Sequence, residues 1–129
     1  MSTEISEPIE VIRAFMGLMQ DLDYDKAMTL VADDCEYVNV PMGAVSGPAG
    51  IRSVLEPFFA PTLENEWIIK ATATDGPVVF MERLDRHRLP NGWAELPVTG
   101  VFEVHDGRIT SWRDYFDLAT IEKGFAEHA

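Results

Sequence analysis

The chain has 129 residues, a hydrophobic fraction of 47% and a formal charge of −12 from 10 basic and 22 acidic side chains. That length fits one domain over residues 1–129 and leaves no room for two, and the apolar fraction supports a packed core rather than a disordered chain. The acidic balance argues against nucleic acid and anionic membrane as partners, because phosphate binding needs clustered Lys and Arg.

Cys35 is the only cysteine, so no intramolecular disulfide can form, and a cysteine-based zinc site is not expected. The amino end, Met1 to Pro8, is acidic and lacks the basic and apolar blocks of a signal peptide. No apolar run approaches the roughly 20 residues needed to span a bilayer. A cytoplasmic protein is the expectation.

In chain order, Ser6-Glu7-Pro8 reads as a helix start, with Ser6 as cap and proline tolerated in the first turn. Ile9, Ile12, Phe15, Met16 and Met19 then fall at helical spacing. A short second helix is expected over Tyr24–Ala32, burying Ala27, Met28, Leu30 and Val31. Cys35 to Val40 is strand-like, with Cys35, Tyr37 and Asn39 on one face. Pro41 to Gly50 reads as a loop, and a third helix carries Ile51, Val54, Leu55 and Phe58 on one stripe until Pro61.

From Glu66 onward the pattern is β. Strands are expected over Trp67–Thr72, Val78–Arg88, Trp93–Val104 and Arg108–Asp117, separated by turns at Asp75-Gly76, Asn91-Gly92 and Asp106-Gly107. Ala94, Leu96, Val98, Phe102 and Val104 make a nearly pure apolar face on the third of these. Leu118 to Phe125 reads as a short closing helix. Helices followed by an antiparallel meander make an α+β pattern, with the helices covering one face of a curved sheet.

Chemistry concentrates on two stretches. Arg83 and Asp85 share a strand face that begins with Val79 and Met81. They can be a solvated ion pair or part of a buried cluster. Asp114 shares its face with Trp112 and Phe116, and an acid flanked by two large aromatics is not expected on a wet surface. A buried carboxylate needs a partner or a proton, so the alternatives are a core acid tied to a donor and a catalytic group. If the strands face one cavity, Asp85, Arg83 and Asp114 form a carboxylate–guanidinium–carboxylate cluster. Tyr37 and Asn39 offer a phenol and an amide suited to holding water. His87 follows Asp85 on the same face and reaches the mouth of such a pocket. The three histidines do not form a metal pattern, and phosphate-loop, dinucleotide and nucleophile-elbow motifs are absent.

Tyr37-x-Asn39, Glu82-Arg83-Leu84-Asp85, Gly100 to Val104 with Asp106 to Thr110, and Trp112-Arg113-Asp114-Tyr115-Phe116-Asp117 together resemble the limonene-1,2-epoxide hydrolase family, over most of the chain. The resemblance implies a cone-shaped, curved mixed β-sheet closed by three to four helices, the nuclear transport factor 2-like (SnoaL-like) fold. It also implies a homodimer formed through the sheet. Position by position, it makes Asp85 the general acid, Asp114 the general base and Arg83 the bridge, with Tyr37 and Asn39 helping to hold the attacking water. It implies no metal, no organic cofactor and no covalent intermediate, and a hydrophobic cyclic or terpene-type epoxide as substrate. The pocket wall is expected from Leu96, Val98, Trp112 and Phe116, with Met81 and the third helix contributing. His87 stands where an apolar residue is expected in the family's best-known members, which bears on the substrate more than on the chemistry. Two other readings compete: an isomerase or cyclase of the same fold, and a non-enzymatic ligand-binding dimer. The first has no evident use for an arginine between two acids, and the second is favoured if the three charged groups are dispersed.

Overall fold

A computed structural model describes residues 7–129. Four helices and six strands follow one another as α1 (Pro8–Gln20), α2 (Tyr24–Met28), β1 (Val31–Asn39), β2 (Gly43–Ser46), α3 (Gly47–Phe59), β3 (Glu64–Asp75), β4 (Val78–Leu89), β5 (Gly92–His105), β6 (Arg108–Tyr115) and α4 (Leu118–His128). The strands form one curled sheet in the order β2-β1-β6-β5-β4-β3. Neighbours are antiparallel except β1 and β6, which run parallel, so the sheet is mixed. This is the α+β architecture expected.

Of the expected stripe of α1, Ile12, Phe15, Met16 and Met19 are buried and Ile9 only partly so, while Val11, outside that stripe, is buried as well. They pack with Ile51, Leu55 and Phe59 of α3 and with Phe102, Ile109 and Trp112 from the concave face of the sheet. Pro8 occupies the first turn of α1, and Glu7 stands at its N-cap. The expected cap, Ser6, lies outside the described residues. Among the described residues no helix is long and apolar enough to cross a membrane.

Several boundaries differ from expectation for identifiable reasons. The second helix stops at Met28 instead of Ala32, because the Ile109 N–H donates to the Leu30 carbonyl at 2.7 Å and Val31 pairs with Ile109, which draws the chain into the sheet. The segment 41–50 is not all loop. Gly43–Ser46 folds back on β1 as a hairpin, and α3 already starts at Gly47. β6 ends at Tyr115 because Asp117 leaves the sheet to cap α4, accepting from the Thr120 N–H at 3.1 Å.

Besides a shift between Val31 and Glu36 where β1 pairs β6, two irregularities in the antiparallel pairs decide which side chains face inward. Pairs between β3 and β4 shift register between Ile69 and Ala71, leaving Lys70 unpaired. Pairs between β5 and β6 shift between Val104–Ile109 and Glu103–Ser111, leaving Thr110 extra, its hydroxyl bonded to the Glu103 carbonyl at 3.2 Å. Each one-residue bulge moves the rest of its strand to the opposite face relative to the turn. The result places Trp67 opposite Asp85 and Asp114 opposite Gly100.

Candidate active site

Alternation on β4 directs Met81, Arg83, Asp85 and His87 to the concave side, where all four are buried. A guanidinium stripped of water must recover its hydrogen bonds from the protein. Arg83 does so with both acids. Its Nε and Nη2 donate to Asp85 at 2.9 and 3.0 Å, and its Nη1 and Nη2 donate to Asp114 at 3.2 and 3.0 Å. Both carboxylates are thus held in the bidentate geometry that suits a planar fork. The Trp67 ring supports the cation, with Cζ 5.1 Å from the ring centroid.

Arg83 must cross β5 to reach Asp114 on β6, two strand spacings away. Gly100 makes that crossing feasible. It pairs with Met81 on one side and Asp114 on the other, and a Cβ there would lie 2.8 Å from Arg83 Nη1 and 3.0 Å from Asp114 Oδ1. Gly100→Ala is therefore expected to push the guanidinium off Asp114, costing about 1–3 kcal/mol in stability. Turnover should fall more than stability alone explains. Denaturant melts and steady-state rates on the same preparation check this, and an unchanged rate would refute the crowding argument.

Asp114 also accepts from Trp112 Nε1 at 2.8 Å. Trp112 is itself fixed in a stack, 4.1 Å from Tyr37 and 5.7 Å from Phe102 between ring centroids. The parallel register of β1 on β6 sets Tyr37 beside Trp112 and Asn39 beside Asp114, and the Val40 N–H donates to the Asp114 carbonyl at 3.0 Å. The Tyr37 hydroxyl donates to Asn39 Oδ1 at 3.0 Å. Tyr37, Asn39, Arg83, Asp85 and Asp114 thus converge.

Tyr37, Asn39, Asp85 and Asp114 sit at the floor of a cavity of about 610 Å³, its mouth included, with Arg83 buried behind the two carboxylates. Its walls are apolar: Val54, Leu55, Phe58 and Phe59 of α3, Trp67 of β3, Leu96 and Val98 of β5, Phe116, and Ile121 of α4. His87, Leu96, Val98 and Phe116 line it as the sequence suggests, and so does the third helix. Met81 and Trp112 do not. Met81 pairs with Gly100 and is sunk in the core two residues before Arg83, while Trp112 lies in the aromatic stack as the donor to Asp114 rather than as wall. Met42, Phe59, Trp67 and Ile121 were not singled out by sequence reasoning, nor was Asn65, which bonds to His87.

Burial dominates the electrostatics. It raises the Asp114 carboxyl above the ordinary range against the opposing pull of Arg83. Burial also works against the Arg83 charge, but Asp114 and Asp85 outweigh it and keep the guanidinium protonated. Burial, reinforced by the charge of Asp114, holds the Tyr37 phenol in its neutral form. His87 is pushed from 6.5 down to about 4 by burial and then by Arg83. Among the described residues no three His, Cys, Asp or Glu side chains converge as a metal ion would need.

The His87 shift is also a stability statement. The unfolded ring takes up a proton near 6.5, whereas the folded ring resists until about 4. The neutral buried ring thus stabilises the fold fully above 6.5, and this contribution is lost as pH falls toward 4, by about 3 kcal/mol in all. Urea unfolding at both ends of that window should show wild type losing about 3 kcal/mol more than His87→Leu. Parallel losses would refute it.

Comparison with known proteins agrees with this geometry. Residues 6–127 match the family model described as the limonene-1,2-epoxide hydrolase catalytic domain. The chain is 35% identical over 113 residues to epoxide hydrolase EphG of Mycobacterium tuberculosis, covering 88% of this chain and 75% of that protein. It superposes on an M. tuberculosis LEH-like epoxide hydrolase with a TM-score of 0.80 at 33% identity, covering 94% of this chain and 90% of that one. A SnoaL-like polyketide cyclase fold from Shewanella putrefaciens superposes with a TM-score of 0.83 at 18% identity, covering 96% and 99% of the two chains, a likeness of fold alone. With the family model spanning nearly the whole chain, this protein belongs to the limonene-1,2-epoxide hydrolase family.

Proposed function

We propose that the chain adds water to a hydrophobic, cyclic or terpene-type epoxide to give a vicinal diol, with Asp85 as general acid and Asp114 as general base on either side of Arg83. The observation that carries this reading is the double bidentate clamp of Arg83 on two buried carboxylates at the floor of an apolar cavity.

Water is a weak nucleophile and an alkoxide a poor leaving group, so ring opening needs a base behind the water and an acid at the ring oxygen. One proton shared in a cluster of one guanidinium and two carboxylates makes it neutral, which lowers the cost of burial. Such a cluster titrates as a unit. Because the Tyr37 proton goes to Asn39 Oδ1, Tyr37 keeps a free lone pair and Asn39 a free Nδ2–H. A water can accept from Asn39 and donate to Tyr37 and Asp114, leaving a lone pair for carbon. Asp114 takes the water proton as the C–O bond forms, the ring C–O bond breaks, and Asp85 protonates the departing oxygen. The raised Asp114 carboxyl makes a stronger base than an ordinary aspartate. The proton then returns from Asp114 to Asp85 across Arg83. No organic cofactor or metal takes part in this scheme. We also take the protein to act as a homodimer, with the exposed Ile68, Phe80 and Tyr115 on the convex face as apolar surface for a second copy.

The direct test is a single turnover of limonene-1,2-oxide or cyclohexene oxide, with enzyme in excess and chelator present, in water labelled with oxygen-18. Diol carrying label from the first turnover is expected. Unlabelled first-turnover diol would mean that a carboxylate, not water, attacked carbon.

A further inference from the structure

His87 is an anomaly in the cavity wall. It is 2% exposed and packed among Phe58, Phe59 and Phe125, with ring centroids 5.9, 5.2 and 5.7 Å away. An apolar side chain would fill that space without losing hydration. Instead a second buried polar residue, Asn65 at 3% exposure, is spent on orienting the ring. Its Oδ1 lies 2.8 Å from His87 Nδ1, and its own Nδ2 has no partner among the described residues. With Asn65 Oδ1 as acceptor, the ring proton sits on Nδ1 and Nε2 is a lone-pair acceptor. Nε2 has no protein partner among the described residues, and unlike Asn65 Nδ2 it is not sealed away from the cavity that His87 lines. An oriented acceptor in a wall of phenylalanines discriminates ligands that an apolar wall cannot.

We propose that His87, positioned by Asn65, is a specificity residue that accepts a hydrogen bond from a hydroxyl group on the epoxide substrate. The preferred substrate class is thus a hydroxylated hydrophobic epoxide rather than a plain hydrocarbon oxide. The proposal rests on the hydrolase reading for its catalytic arm. His87 is two residues along β4 from Asp85 on the same face, so the hydroxyl belongs roughly 7 Å from the ring oxygen. That is about the span of a terpene ring carrying the epoxide at one end and an alcohol at the other.

The test uses three substrates on one skeleton: the epoxide of α-terpineol, its O-methyl ether, and dihydrolimonene oxide, which lacks the oxygen. Wild type is expected to favour the alcohol by about tenfold in kcat/KM over either analogue. His87→Leu should bring these ratios to near one, and His87→Gln, which keeps an acceptor, should retain part of the preference. Wild type favouring the hydrocarbon, or ratios that survive in His87→Leu, would overturn the proposal. An ether as good as the alcohol would show a donating ring and overturn the acceptor role. Calorimetric binding of α-terpineol itself needs no turnover. It should weaken about tenfold in His87→Leu and less in His87→Gln. Equal affinities refute recognition by His87, whereas tight binding without diol formation from any of the epoxides would refute the hydrolase reading alone.

Discussion

Asp114→Asn is expected to lower kcat by about a thousandfold or more while leaving the fold intact. The amide keeps the shape of the carboxyl and an oxygen to accept from Trp112 Nε1 and Arg83 Nη1, so the aromatic stack loses no acceptor. Its Nδ2 cannot replace the oxygen that accepts from Arg83 Nη2, and the clamp on this side drops to one hydrogen bond. Charge balance also survives, because Arg83 and an ionised Asp85 sum to zero, as the wild-type cluster does with one proton. What disappears is the proposed acceptor of the water proton, and with Asp85 ionised the proton that the scheme delivers to the ring oxygen goes too. Circular dichroism should match wild type and melting should fall only by the one lost hydrogen bond, about 1–3 kcal/mol, while diol formation collapses. Substantial turnover in a correctly folded Asp114→Asn protein would remove Asp114 from the role of base.

Arg83→Met should have the largest effect on stability. Removing the cation leaves two acids in an apolar cavity without the charge that favours their ionised forms. Breaking a buried ion cluster from one side costs about 3–5 kcal/mol. For a domain of this size that is a fall of roughly 10–20 °C in Tm. The sign of its pH dependence is diagnostic. Arg83 opposes the upward shift of the buried Asp114 carboxyl, so without it that carboxyl rises further. Stability is then greatest where Asp114 is protonated and is lost as pH rises through its raised folded-state value. The variant should thus recover relative to wild type on mild acidification. A melting temperature equal to that of wild type at neutral pH would mean that Arg83 does not hold the two acids in place.

Local periodicity made much of this molecule legible. The alternation of Arg83 and Asp85, and the aromatic flanks of Asp114, identify inward faces because strand parity is a property of a few consecutive residues. Hairpin turns such as Asp106-Gly107 could be read for the same reason. The two bulges could not. Counted from the Asp75-Gly76 turn without the unpaired Lys70, Trp67 falls opposite Arg86 on the wrong face. Counted from Asp106-Gly107 without the extra Thr110, Asp114 falls opposite Thr99 rather than Gly100. A bulge is a compromise among distant packing demands, and Lys70 and Thr110 carry no local mark of it. Asn65 was missed for a related reason, since its importance lies wholly in its cross-strand partner His87. Met81 was placed in the wall because parity says which face a side chain takes but not how far along the strand the cavity extends.

The parallel union of β1 and β6 has a consequence for how the protein matures. Asn39 and Asp114 meet as neighbours although 75 positions separate them, one near the start of the sheet-forming chain and one near its end. During synthesis Tyr37 and Asn39 leave the ribosome long before the strand that completes their site. No partly made chain holds Asp114 together with Tyr37 and Asn39. Closing so long a loop is slow compared with forming the β3–β4–β5 hairpins, whose partners are close in sequence. Docking of the first strand on the last is thus the natural rate-limiting event, and catalytic competence and native tertiary structure should arrive together.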